Sequence, residues 1–164
     1  KVHDRTGFNL GQVTGLKELE QSLSQLQGKV AKKALEIAVK SGTKVVLTDA
    51  KARAPLGIVP HKFKERGAMI EVKPGNLRKS LKQKVYRGQR AAMGSIQSII
   101  PLDGRAFYGK FMEWGWKAKG GKYIAPQRFL APAWEAKKTE ALDQLGKRLG
   151  EEVEKAAREA ANAR

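Results

Sequence analysis

The stretch PAWEAKKTEALDQLGKRLGEEVEKAAREA, residues 132–160, decides the class of fold. Pro132 stands where prolines are tolerated best, in the first turn of a helix. Ala133 and Trp134 open one face, and Leu142, Leu145, Leu149, Val153, Ala156 and Ala160 continue it at steps of three and four. That spacing places side chains on one side of a helix. The other side alternates acids and bases, with Glu151–Lys155 and Glu154–Arg158 at the i,i+4 separation that lets opposite charges meet. The segment reads as a long amphipathic helix whose apolar stripe packs into a core.

A second long helix is expected at the other end of the chain. Residues 1–14 read as an arm, and Thr14 offers a side-chain oxygen as a cap. Leu16, Leu19, Leu23, Leu26, Val30 and Ile37 then form a stripe, with helical character continuing to Arg53 and ending before Pro55. Gly28 marks a kink or break and Gly42 a second soft point, because glycine costs about 1 kcal/mol against alanine inside a helix.

Between the helices the pattern is shorter and more broken. Residues 55–76 hold three prolines and three glycines interleaved with lysines, and read as a long basic loop with a short strand at Met69–Val72. Asn76 is placed to cap a short helix over Leu77–Leu81. Leu81–Arg87 and Ser95–Ile100 read as an antiparallel pair joined by a turn at 87–94. Ala106–Trp114 reads as a short helix, Gly115–Gly121 as a loop, and Tyr123–Ile124 as a short strand. The expected fold is α+β: long N- and C-terminal helices packed on a small antiparallel sheet, with residues 15–164 forming a single domain.

The chain has 164 residues, 41% hydrophobic and 30% charged, which suits one domain with one core. No run of about 18 apolar residues is present, so no bilayer-crossing helix is expected. Lys1–Leu10 has no apolar run of the kind a signal peptide carries. With no cysteine, disulfides and thiolate chemistry are excluded. The net charge is +17, and it is uneven: residues 51–90 carry 12 basic and 2 acidic groups, whereas residues 131–164 carry 7 of each. Such a cluster attracts nucleic acid or an acidic protein surface, less strongly as salt rises.

Nothing in the sequence assembles a catalytic set. The two histidines, His3 and His61, lie apart, and metal binding needs several convergent ligands. Gly120-Gly121-Lys122 lacks the rest of a phosphate loop. Asp103 and Glu113 alone do not make a hydrolase. No enzyme activity, metal or cofactor is expected. The segment 107–134 gathers Phe107, Tyr108, Phe111, Trp114, Trp116, Tyr123, Phe129 and Trp134. Aromatics so placed read as packing and subunit-interface anchors ahead of base-stacking platforms.

The order of motifs carries a resemblance. Gly15-Leu16 with Leu19 opens the pattern, and Ala50-Lys-Ala-Arg-Ala-Pro55 closes the first long helix. Gly75-x-Leu77-Arg78-x-Ser80-Leu81 follows, then Tyr108 and Glu113-Trp114-Gly115. Pro126-x-x-Phe129-Leu130-x-Pro132-Ala133 opens the last helix. This series resembles the siphophage neck and tail-completion family, which includes the lambda tail-completion protein Z and related head–tail connector proteins. The chain departs from the family pattern at 56–74, where the family joins its motifs in a few residues.

The resemblance implies a non-catalytic virion protein of the phage neck or tail, assembled in the host cytoplasm as a ring, taken as a hexamer. The implied partners are further copies of itself, an adjacent head-completion or connector protein, a tail terminator or tail tube protein, the tape measure protein, and viral DNA in the channel; no membrane is involved. Lys62, Lys64, Arg66, Arg78, Lys79, Lys82 and Lys84 are the expected contacts to DNA or to an acidic neighbour. Pro55, Gly75, Leu77, Tyr108, Glu113, Trp114, Gly115, Phe129, Leu130 and Pro132 are the expected structural and interface motif. Within it, Glu113, Trp114, Phe129, Leu130 and Pro132 are expected to set the turn into the last helix, so that Trp114→Ala costs about 3–5 kcal/mol. Two alternatives stand beside this reading: a sequence-nonspecific nucleic-acid-binding protein, and a tail terminator ring subunit.

Overall fold

The computed structural model describes residues 28–57, 61–65, 67–87, 97–102, 107–118 and 120–162. In chain order they form α1 (Gly28–Arg53), β1 (His61–Glu65), β2 (Ala68–Val72), α2 (Asn76–Ser80), β3 (Lys84–Tyr86), β4 (Gln97–Ile99), α3 (Gly109–Trp114), β5 (Trp116–Lys117), β6 (Tyr123–Ile124) and α4 (Leu130–Asn162). The α+β class expected from the sequence is the one observed. The arm at 1–14 and the leucines from Leu16 to Leu26 lie outside the described residues.

α1 and α4 pack along their lengths and supply most of the core. The buried face of α1 is a row of mostly small residues four apart: Ala34, Ala38, Gly42, Val46 and Ala50, with Leu47 beside them. α4 presents Ala133, Ala141, Leu149 and Ala156 as its buried residues, with Leu145 and Val153 packed alongside. Small side chains in an i,i+4 row let two helix backbones come close. The closest approach is at Gly42, where an added Cβ would stand 2.6 Å from the Ala141 carbonyl oxygen and 3.2 Å from Leu145 Cβ. Gly42 is therefore a packing residue rather than the soft point expected. The described part of the expected stripe is also displaced: Val30 is exposed and Ile37 only half-buried, because the alanine row faces the partner helix.

The expected small sheet is, among the described residues, three separate two-stranded antiparallel ribbons. The first occupies the expected long loop, with β2 over the strand expected at Met69–Val72. β1 and β2 pair from His61↔Val72 to Glu65↔Ala68, with Gly67 at positive φ in the turn. The second, β3–β4, pairs Lys84↔Ile99 to Tyr86↔Gln97, shorter than expected but with the expected partners. Gln83 ties it to α1 by donating to the Lys40 carbonyl and to Ser98 Oγ, both at 2.8 Å, and Arg87 pairs with Glu36. The third, β5–β6, joins the expected strand at Tyr123–Ile124 to a strand inside the expected Gly115–Gly121 loop, pairing Trp116↔Ile124 and Lys117↔Tyr123. Two-stranded ribbons are marginal alone. Leu81 and Leu102, flanking β3–β4, are buried with Phe129 and Ala133 in the core that supports them.

On the polar side of α4, Glu154 pairs with Arg158 as expected, at 3.7 Å. Arg148 takes Glu151 at 2.6 Å and also reaches Glu152 at 2.9 Å. These pairs are at least partly exposed and contribute little individually.

Candidate assembly interface

The motif residues build the joints of the frame. Pro55 ends α1, leaving its last carbonyls without helical partners. Arg78, on α2, donates from Nη2 to the carbonyls of Ala52 at 2.9 Å and Ala54 at 3.3 Å. A cation at a helix C-terminus also complements the helix dipole. Arg78 is thus half-buried against α1, and its Nε is buried without a partner. Arg78, expected as a contact to DNA or an acidic neighbour, is here engaged with the end of α1. Gly75 precedes α2 at φ 76° and donates its N–H to the Leu56 carbonyl at 2.6 Å. It occupies the cap position expected for Asn76. Asn76 instead lies inside α2 and points its amide toward the Tyr108 hydroxyl at 3.4 Å.

A second joint holds the start of α4. Glu113, near the C-terminal end of α3, is 4% exposed, the one charged residue buried among those described. Its Oε2 accepts the N–H groups of Phe129 and Leu130, and its Oε1 that of Ala131, all at 2.9 Å. These are N–H groups that a helix start leaves unpaired, and a carboxylate there is favoured by the helix dipole. Pro132, one residue on, has no N–H to satisfy. Phe129 itself is fully buried. Gly115 closes α3 at φ 75°, where an added Cβ would fall 2.6 Å from the Tyr123 hydroxyl. Trp114 departs from the expectation: it is 63% exposed, so it anchors no core.

Between these joints lies a largely apolar groove of about 710 Å³. Leu56, Leu77, Tyr108, Phe111, Met112 and Trp116 line it, with Lys73 at its wall. The end of α1, the end of β2 and the α3–β5 segment bound it. Gln127 secures the floor by donating its N–H to the Met112 carbonyl at 2.7 Å. Phe111 packs against Phe107 edge-on and Trp116 at a tilt. Leu56 and Phe111 are nonetheless 53% and 46% exposed. Burial pushes the Tyr108 phenol above its ordinary range, with the Asn76 amide opposing the shift.

The structure brings Pro55, Gly75, Leu77 and Tyr108 to or beside this groove, and Glu113, Gly115, Phe129, Leu130 and Pro132 to the joint below α4. Leu56 and Met112, which belong to the groove, were not singled out by the sequence; an isolated apolar residue after a proline gives no periodic signal. Of the expected cationic contacts, Lys62, Lys79, Lys82 and Lys84 are exposed. Lys64 is described by its backbone alone, and Arg66 lies outside the described residues. Lys62 sits directly across from Glu71 in the β1–β2 ribbon. Among the described residues there is no cluster of acidic or histidine side chains able to hold a metal, and no helix long and apolar enough to cross a membrane.

A family model described as "Bacteriophage HK97-gp10, putative tail-component" matches residues 17–123. The matched span includes α1, the Arg78 joint, Glu113 and all of the groove's lining but Gln127. No curated protein and no solved structure matches the chain.

Proposed function

Since the chain belongs to the HK97-gp10-like family of bacteriophage tail components, and so is a structural protein of the phage particle, we propose that it is a ring-forming subunit of the neck that completes the tail and joins it to the head. In this reading its nearer kinship is with the lambda tail-completion protein Z. The observation that carries it is the open apolar groove at Leu56, Phe111 and Trp116. Apolar anchors left uncovered in one subunit are what a neighbouring subunit covers.

In this reading the partners are further copies of the chain, six to a ring, with a head-completion or connector protein on one side and a terminator or tube protein on the other. The tape measure protein is the further candidate from inside the tube. Lys62, Lys64, Arg66, Lys79, Lys82 and Lys84 would face DNA in the channel or an acidic neighbouring ring. The role is mechanical and uses no cofactor.

A phage deleted for this protein tests the role. Filled heads and finished tails that accumulate unjoined, and join when the purified chain is added, are expected. Joined, infectious particles without the protein would refute it.

A nucleic-acid-binding role independent of assembly has one observation in its favour, the excess of ten positive charges in residues 51–90. Tight binding of short duplexes by a monomer, collapsing between low and moderate salt, would favour it.

A further inference from the structure

We propose that the groove at Leu56, Phe111 and Trp116 receives residues 16–26 of a second copy of this chain, in a head-to-tail junction; this rests on the ring reading and specifies its contact. Leu16, Leu19, Leu23 and Leu26 recur at steps of three and four, which predicts one apolar face of a helix. That segment joins the described body at Gly28, the N-terminal end of α1. The groove lies past the other end of α1, at Pro55, Leu56 and Gly57.

α1 has 26 residues and is therefore about 39 Å long. A helix over 16–26 spans about 16 Å, so when folded back along α1 from Gly28 it stops about 20 Å short of its own groove. The same helix on a neighbouring copy has no such restriction. An amphipathic helix laid into an apolar groove is a recurrent recognition mode, read by anchors at this spacing.

Charge agrees with the pairing. Residues 16–26 carry Glu18 and Glu20 against a single lysine, Lys17. The groove wall includes Lys73 and no acid, and Lys110 and Lys117, next to Phe111 and Trp116 in sequence, are exposed. Donor segment and receiving groove lie at opposite ends of one subunit, so the contact is heterologous. Repeated with the right rotation, such a contact closes a ring.

Sedimentation of the full chain over a wide concentration range tests this, with three variants: the double change Leu19→Asp and Leu23→Asp, and separately Phe111→Asp and Leu56→Asp in the groove. Circular dichroism and urea midpoints confirm that each is folded; Leu56 and Phe111 are exposed enough to accept the change. The wild type is expected to assemble, and each variant alone to need at least about a hundredfold higher concentration, as the loss of a main anchor demands. Mixing the double leucine variant with either groove variant restores one junction and should give a dimer that grows no further. If the variants assemble as the wild type does, or if the mixture stays monomeric, this junction is wrong while the ring reading stands. A wild type that remains monomeric at every concentration overturns both.

Discussion

Glu113 Oε2 accepts the backbone N–H of Leu130 at 2.9 Å, so that a carboxylate at the end of one short helix forms the cap of the 33-residue α4. The same carboxylate takes the N–H groups of Phe129 and Ala131. Its removal strands three donors, one on the fully buried Phe129, one on the half-buried Leu130 and one on the exposed Ala131. Glu113→Ala is expected to lower stability by about 3 kcal/mol or more. Glu113→Gln keeps one acceptor oxygen and should lose only about 1–2 kcal/mol. Urea unfolding followed by circular dichroism separates the two. Equal, small losses would show that the cap contributes little.

Arg78 and Lys79 are neighbours in sequence with opposite duties. Arg78 holds the Ala52 and Ala54 carbonyls, whereas Lys79 is exposed. Arg78→Met should cost about 1–2 kcal/mol and leave any binding to a polyanion with its salt dependence unchanged. Lys79→Ala with Lys82→Ala should leave stability within about 0.5 kcal/mol and reduce the slope of log binding constant against log salt by roughly 1–2. The pair is measured by unfolding and by titration of a short duplex.

The helix crossing makes a prediction about two glycines. Gly42→Ala places a methyl group 2.6 Å from the Ala141 carbonyl oxygen. The overpacking costs about 1–3 kcal/mol and exceeds the gain of up to about 1 kcal/mol in helix propensity, so the variant should melt lower. Gly146, also helical, has nothing within 4 Å of an added Cβ. Gly146→Ala should gain about 0.5–1 kcal/mol and melt higher.

Tyr108 gives a pH dependence. Burial raises its phenol above the ordinary value of 10.0, so the folded state holds the proton more tightly than the unfolded one. The resulting stability is complete below the ordinary value and is lost as pH rises through the raised one. Between roughly pH 8 and pH 11, stability should fall more in the wild type than in Tyr108→Phe. The difference between their urea midpoints at the two pH values isolates the contribution of this phenol.

Trp114→Ala should change stability by less than about 1 kcal/mol, because its side chain is largely solvent-facing. If the tryptophan serves assembly, the variant should fold normally and join heads to tails poorly, as an in vitro joining assay would read.

Much of this frame was legible in the sequence because it rests on long-period patterning. α4 declares itself through leucines at helical spacing and a proline in its first turn. The packing row of α1 does not, since Ala34, Ala38 and Gly42 carry too little apolar area to stand out against Leu16–Val30. Each of the ribbons at 61–72 and 116–124 was legible in one strand, Met69–Val72 and Tyr123–Ile124. The partner strands β1 and β5 were hidden because they are short and carry lysines, in stretches whose glycines read as loop.

The joints were only half visible. Glu113 and Arg78 stood out as parts of motifs, but each acts on backbone groups, which no side-chain pattern reveals. Arg78 was grouped with the cations because a count of charge is blind to the carbonyls of Ala52 and Ala54. The groove was the least legible feature. Leu56, Phe111 and Trp116 come from three separate segments, brought together only when α2 docks on the end of α1.

The most direct measurement is a reconstruction of the neck in the intact phage particle, at a resolution that traces this chain. The expected result is a closed ring of identical copies between the head connector and the tail tube. Each groove at Leu56 and Phe111 should be filled by a neighbouring copy, with Lys79 and Lys82 facing the channel or an acidic ring. A chain present as isolated copies with the groove open to solvent, or absent from the neck altogether, would contradict the account.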